Sequence, residues 1–163
     1  MDELRAELVA LLPRLRRFAR ALARNAADAD DLVQVALERA LAHAAQRRPD
    51  SQLAAWVFGI LRNAWIDEQR ARGRRARLFV PAESGAEIAD AAGTAAPELL
   101  AVQQALARLP EEQRLAVALV LIEGLSYKEA AHVMEVPIGT LTSRLARARE
   151  TLQSLLGATE ANG

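Results

Sequence analysis

Between Leu53 and Ala64, the apolar residues Leu53, Trp56, Val57, Ile60, Leu61 and Ala64 stand at i, i+3, i+4, i+7, i+8 and i+11. That recurrence marks one face of an α-helix, whereas in a strand alternate residues share a face. The same period returns along the chain. Leu15, Phe18, Ala19 and Leu22 share a face, as do Val33, Ala36, Leu37, Ala40 and Ala44. Leu99, Val102, Leu106 and Leu109 form another, and Leu141, Leu145, Ala148, Leu152 and Leu155 a further one. No strand pattern longer than a few residues and no internal repeat competes with them. Helices with one apolar stripe must bury it against other helices, so the fold class is all-α. Aromatic residues make up only 4% of the chain and alanine is abundant, which also favours packed helices over strands.

The stretch "LFVPAESGAEIADAAGTAAPE" interrupts the period with Ala, Gly, Pro and Ser and no apolar face. It reads as a flexible linker over 78–97 between a module at 1–77 and a module at 98–163. The first module holds three or four helices. "NAADADD" supplies caps and acidic first-turn residues for the second of them, and "RRPDSQ" is a loop. In the second module, Pro110, Glu111 and Glu112 open a helix whose "RLAVALVLIEG" is apolar nearly all round and is expected to be buried, with Gly124 as its C-cap. Ser126 and Glu129 fit the S-x-x-E capping box, so a short helix starts there and ends near Glu135. Pro137 suits the first position of the next helix. Two short helices joined by a tight turn, the second one basic, make a helix-turn-helix.

Charge and composition exclude several classes of function. The formal net charge is zero, but residues 1–77 carry 15 basic and 10 acidic side chains and residues 78–163 carry 6 and 11. The front half therefore attracts polyanions more strongly, and DNA affinity must come from local patches. With no cysteine there is no disulfide framework or thiol nucleophile. His43 and His132 are far apart, and no Gly-rich phosphate loop, metal spacing or nucleophile constellation occurs, so no enzyme activity, cofactor or metal is expected. Asp28, Asp30 and Asp31 read as caps rather than as metal ligands. The start "MDELRAELVALLPRLRR" is unlike a signal peptide and no stretch is long enough for a membrane span, so a soluble cytoplasmic protein without membrane insertion is expected.

Two helices carry nucleic-acid chemistry. On the helix from about Ile138 to Leu155, Thr142, Ser143, Ala146 and Arg147 lie opposite the apolar stripe, while Arg144 and Arg149 flank it. Small hydroxyl residues and arginine read base edges, and flanking arginines grip phosphates. On the earlier helix Trp56 belongs to the apolar stripe and reads as core. Phe58 and Trp65 lie off it with Arg62 beside them, and Trp65 is left open between core and surface. Asn63, Asp67 and Arg70 run along another side, and "RARGRRAR" follows. Off-stripe aromatics, an amide and a basic run suit single-stranded nucleic acid. Val35, beside Leu32 on the second helix, reads as exposed and hints at a partner.

Together these segments resemble bacterial RNA polymerase sigma factors of the sigma-70 family, of the extracytoplasmic-function (ECF, group 4) type. "LPRLRRFARALARNAADADDLVQ" is similar to the family's region 2.1 to 2.2, "LAAWVFGILRNAWIDEQRARGRR" to region 2.3 to 2.4, and "LPEEQRLAVALVLIEGLSYKEAAHVMEVPIGTLTSRLARARETL" to region 4. The resemblance implies a dissociable subunit of core RNA polymerase rather than an enzyme. It implies polymerase contacts at Asp31, Leu32, Gln34, Val35 and Glu38. It implies minus-ten contacts at Trp56, Arg62, Asn63, Asp67, Arg70, Arg74 and Arg75, with a non-template base flipped into a pocket made by the loop "QRRPDSQL" and by Asn63. Minus-thirty-five contacts would fall to Thr140, Thr142, Ser143, Arg144, Ala146, Arg147 and Arg149. The partners are promoter DNA, duplex and melted, and an anti-sigma factor. Two positions depart from the family pattern: Val35 stands where an acid is usual, and Thr142 where Lys or Arg is frequent. A helix-turn-helix regulator acting without replacing sigma would account for the last helices alone, leaving the tryptophan helix and "DADDLVQ" unexplained. A relative kept only as a binding decoy is the other alternative.

Overall fold

A computed structural model describes residues 2–23, 25–78 and 97–161, apart from the side chains at 98, 99 and 158–161. The linker at 78–97 therefore lies outside the described residues except at its ends, as do Arg24 and the Leu99 side chain. No strand occurs among the described residues. The chain divides into two compact units, Met1–Ala89 and Asp90–Gly163.

The front unit contains α1 (Asp2–Ala23), α2 (Ala26–Ala42), a 3-10 turn (Ala44–Gln46) and α3 (Leu53–Leu78). Each pair of these α-helices packs together. Leu8, Leu15, Phe18, Ala19 and Leu22 of α1 are buried against Ala29, Leu32, Val33, Ala36 and Ala40 of α2 and Leu53, Val57, Phe58, Leu61, Ala64 and Trp65 of α3. Phe18 and Phe58 meet edge to face at 5.1 Å between ring centroids. The Arg14 guanidinium sits 5.4 Å above the Phe58 ring, and edge-to-face and cation–π contacts of this kind add to the area term.

Helix α3 corrects the sequence reading of its aromatics. Phe58 is fully buried and Trp65 is 7% exposed, while Trp56 is only half-buried. The reason is that α3 packs on α1 and α2 at once. At 100° per residue its buried arc is turned by about 60° from the stripe, toward Phe58 and Trp65. Trp56, Ile60, Asn63 and Asp67 thereby form an adjoining strip at the edge of the core. Two residues of α2 also differ from expectation. Leu32 is 5% exposed and belongs to the core, and Val35 is half-buried rather than exposed.

The back unit contains α4 (Pro97–Arg108), α5 (Glu111–Val117), a π-helical segment (Ala118–Ile122), α6 (Tyr127–Met134) and α7 (Ile138–Ala161). Helix α7 packs against α4, α5 and α6. Leu141, Leu145 and Ala148 of its stripe are buried, whereas Leu152 and Leu155 are half-buried. Arg114 is 6% exposed, and its guanidinium donates to the Leu109 carbonyl at 3.1 Å, which ties α5 to the end of α4. A buried cation left without such an acceptor would be costly.

"RLAVALVLIEG" is not buried throughout. Arg114 to Leu119 are, but Leu121 is 51% and Ile122 42% exposed. The turn widens here: the Glu123 N–H donates to the Ala118 carbonyl at 2.8 Å, a π-type step that rotates the last side chains outward. Gly124, at φ +75°, then reverses the chain, and the Leu125 N–H closes on the Leu119 carbonyl at 3.0 Å. Val102, expected on the apolar face of α4, is 41% exposed.

The helix-turn-helix begins with the expected capping box. The Glu129 N–H donates to Ser126 Oγ at 3.1 Å, and the Ser126 N–H donates to Glu129 Oε1 at 2.9 Å. Pro137 caps α7 from outside rather than opening it, since its carbonyl accepts from the Thr140 and Leu141 N–H groups. Between the helices Glu135 has φ 55° and ψ 45°, a left-handed conformation that glycine adopts without penalty. Glu135→Gly is expected to stabilise the back unit by about 1 kcal/mol. The check is the denaturation midpoint of the full chain, and an unchanged or lowered midpoint would show that the Glu135 side chain offsets the strain.

Candidate nucleic-acid interface

The strip at the edge of the front core forms one wall of a pocket. Trp56, Ile60 and Asn63 of α3 face Arg39 near the end of α2, with His43 and Gln46 beyond it, around an open volume of about 290 Å³. That is near the small end of ligand pockets, large enough for one planar group and too small for a longer ligand. The half-buried Trp56 offers a stacking face, and Asn63, Gln46 and Arg39 offer hydrogen-bond donors. Of the loop expected to make the pocket, Gln46 alone lines it. The rest of the loop is closed on itself. The Arg47 guanidinium donates to the Ser51 carbonyl at 3.0 Å, and the Ser51 hydroxyl donates to the Arg48 carbonyl at 2.8 Å.

Arg39, His43 and Ile60 are pocket residues that the sequence reading missed. The signal was present: Arg39 and His43, the C-cap of α2, are i and i+4, and Trp56, Ile60 and Asn63 are i, i+4 and i+7 on α3. Knowing which faces meet required the packing of α3. Asp67 lies on the same strip, and its carboxylate holds the Arg39 guanidinium at 3.0 Å. Arg62 is half-buried and does not line the pocket.

The basic end of α3 is partly engaged within the unit. Arg72 reaches Asp28 at 2.9 Å and Glu68 at 3.1 Å, and Arg75 reaches Glu68 at 3.0 Å. Arg70, Arg74 and Arg77 are exposed and make no ion pair among the described residues. Asp28 also completes the cap of α2. Its N–H donates to Asn25 Oδ1 at 2.8 Å, and its carboxylate accepts from Asn25 Nδ2 at 2.9 Å. The Asn25 hydrogen bond and then the Arg72 pair hold the Asp28 carboxyl below its ordinary value of 3.8. A carboxyl depressed on folding stabilises the fold above its unfolded pKa, and that contribution is lost as pH falls through the folded value. Asp28→Asn is therefore expected to lower stability at neutral pH and to weaken its dependence on acid below about pH 4. Urea midpoints at several pH values measure this, and parallel curves for the two proteins would remove Asp28 from the linkage.

On α2, Asp31, Gln34 and Glu38 are exposed at i, i+3 and i+7, an acidic and amide strip on one side of the helix. Leu32 stands behind it in the core, 5% exposed, and supports this strip.

On α7, Thr142, Ser143, Ala146, Arg147 and Arg149 are exposed and Thr140 is half-buried. The Thr142 hydroxyl donates to the Gly139 carbonyl at 2.9 Å, which leaves its oxygen as an acceptor toward solvent. Arg144 is half-buried, and its guanidinium lies 3.5 Å from the Glu112 carboxylate at the start of α5. Among the described residues no group of three or more His, Asp or Glu side chains is placed to hold a metal, and no helix is long and apolar enough to cross a membrane.

Residues 99–152 match the family model "Sigma-70, region 4", and residues 8–62 match "Sigma2 domain of PhyR". The chain is 41% identical over 155 residues to the ECF RNA polymerase sigma factor EcfG of Rhodopseudomonas palustris, covering 95% of this chain and 86% of the relative. This chain belongs to the ECF sigma factors. SigM of Mycobacterium tuberculosis, another ECF RNA polymerase sigma factor, is 42% identical over 144 residues, with 88% of this chain and 71% of the relative covered. Among solved structures, the sigma factor RpoE in complex with the anti-sigma factor NepR from Bartonella quintana superposes with a TM-score of 0.82 at 35% identity, over 96% of this chain and 98% of that one. In this ECF sigma factor the pocket and the exposed acidic and amide strip of α2 belong to the front unit, and the helix-turn-helix to the back unit.

Proposed function

We propose that the chain acts in the cytoplasm as a dissociable, non-enzymatic subunit that directs core RNA polymerase to promoters and helps to open them. Region 2 occupies 1–77 and region 4 occupies 98–163. The observation that carries this reading is the α2–α3 pocket. It sets a half-exposed indole and an amide beside the basic end of one continuous helix, which fits a base taken out of the stack with its strand running along Arg70, Arg74 and Arg77. Trp56 stacks, Asn63 reads the base edge, and Asp67 acts by holding Arg39 at the rim. Arg62 and Arg75 lie on the flanks of this surface. The exposed Asp31, Gln34 and Glu38 meet polymerase, with Val35 at the margin of that contact. In the back unit Ser143, Ala146 and Arg147 face bases of the minus-thirty-five element, and Thr140, Thr142, Arg144 and Arg149 face its walls.

The RpoE relative was solved with an anti-sigma factor, and this chain is read as subject to the same kind of control. The testing experiment is transcription by sigma-free core polymerase on genomic fragments, with the transcript starts sequenced. Defined starts that need this protein support the reading. Core binding without starts favours the decoy, and absence of both favours a regulator acting without core. Charge reversal at Asp31 and Glu38 together is expected to weaken core binding by about 100-fold, the range of paired interfacial charges. An unaltered affinity would move the contact off α2.

A further inference from the structure

The ion pair between Arg144 and Glu112 joins the DNA-facing helix to an acid on a different helix. Arg144 keeps 21% of its side chain exposed and Glu112 keeps 71%, with 3.5 Å between guanidinium and carboxylate. The arginine stem is thus packed into the unit, while its charge is shared with a carboxylate that stands in solvent. Such a solvent-exposed pair contributes little to folding. Its position on the flank of α7 gives it another consequence.

We infer that Glu112 competes with the DNA backbone for Arg144 and so sets the affinity and salt dependence of the minus-thirty-five contact. The inference rests on the reading of α7 as the DNA-facing helix. A phosphate that takes Arg144 displaces Glu112. The freed carboxylate then stands beside a polyanion and recruits a cation from solution. A phosphate neutralised by an unpaired arginine releases about 0.9 of a counterion. Here that release is cancelled by the uptake at Glu112, so the Arg144 contact adds almost nothing to the salt slope. Glu112 is a positioning residue that acts through Arg144, and it accords with a back half in which acids outnumber bases by 11 to 6.

The test uses holoenzyme reconstituted from sigma-free core polymerase and the full chain. The probe is a labelled duplex covering the upstream element of a promoter mapped by transcript-start sequencing. Glu112→Gln keeps the shape of the side chain and removes the competing charge. Binding is expected to tighten about 3- to 10-fold near 0.1 M salt, and the log–log salt slope to steepen by about 0.9. In an Arg144→Gln background, which keeps much of the arginine stem, Glu112→Gln is expected to change neither quantity. An unchanged slope in the single variant overturns the inference. So does an equal change in both backgrounds, which would make Glu112 a general repulsive charge. Arg147→Ala separates this failure from failure of the underlying reading: if it too leaves affinity and slope untouched, α7 does not face DNA.

Discussion

Asn63→Ala is expected to slow promoter opening by about 10- to 100-fold while leaving the closed complex intact, the range for losing a hydrogen bond made only in the opened state. Asn63 is exposed on α3 and lines the pocket with Trp56 and Ile60, so its removal takes away an edge contact without disturbing the core. Duplex DNA presents no free base to the pocket, and the loss therefore appears after initial binding. Permanganate reactivity of unpaired thymines, followed in time, separates the two steps. Equal opening by the variant would remove the pocket from the melting step, whatever its effect on binding.

Phe58→Ala has the larger effect on the fold. Phe58 is fully buried, edge to face with Phe18 and beneath Arg14. Truncating a ring in such a site costs about 3–5 kcal/mol. Domains as a class are stable by about 5–15 kcal/mol, and a small bundle lies toward the lower end. The front unit of the variant is expected to be largely unfolded at 37 °C, a condition at which a small core with a cavity has little margin. The chain has two tryptophans, Trp56 and Trp65, both on α3, so tryptophan fluorescence, excited where Tyr127 does not absorb, reports on this unit alone. If Phe58 instead stacked on nucleic acid, the variant would melt within about 1 kcal/mol of the parent, as surface substitutions do.

How far the sequence reveals this protein differs from helix to helix. The caps were legible because they are local: Asn25 with Asp28 and Ser126 with Glu129 are each three residues apart, and the groups that satisfy one another are neighbours in the chain. The region 4 stripe was legible at Leu141, Leu145 and Ala148 for the same reason. Helix α3 was harder. Its period is clear, but period does not say how many neighbours a helix has, and contact with both α1 and α2 moved the buried arc past Trp56 onto Phe58 and Trp65. The loop and Asn63 pointed to a pocket, but that rotation hid the part of its wall that comes from Arg39 and His43. Arg72 was unreadable as a partner of Asp28 because 44 positions separate them and a bundle had to form first. The exposure of Leu121 and Ile122 follows from a widened turn, which composition does not encode.

The way the pocket is built bears on how its lining can change over time. His43 and Gln46 are exposed, Arg39, Trp56 and Ile60 are half-buried, and none of the lining side chains belongs to the buried core of the bundle. Substitution at such positions usually shifts stability by only about half a kcal/mol. The pocket is therefore mechanically separate from the scaffold that supports it. A lineage carrying this fold can recut the pocket rim, one residue at a time, without first acquiring stabilising changes elsewhere.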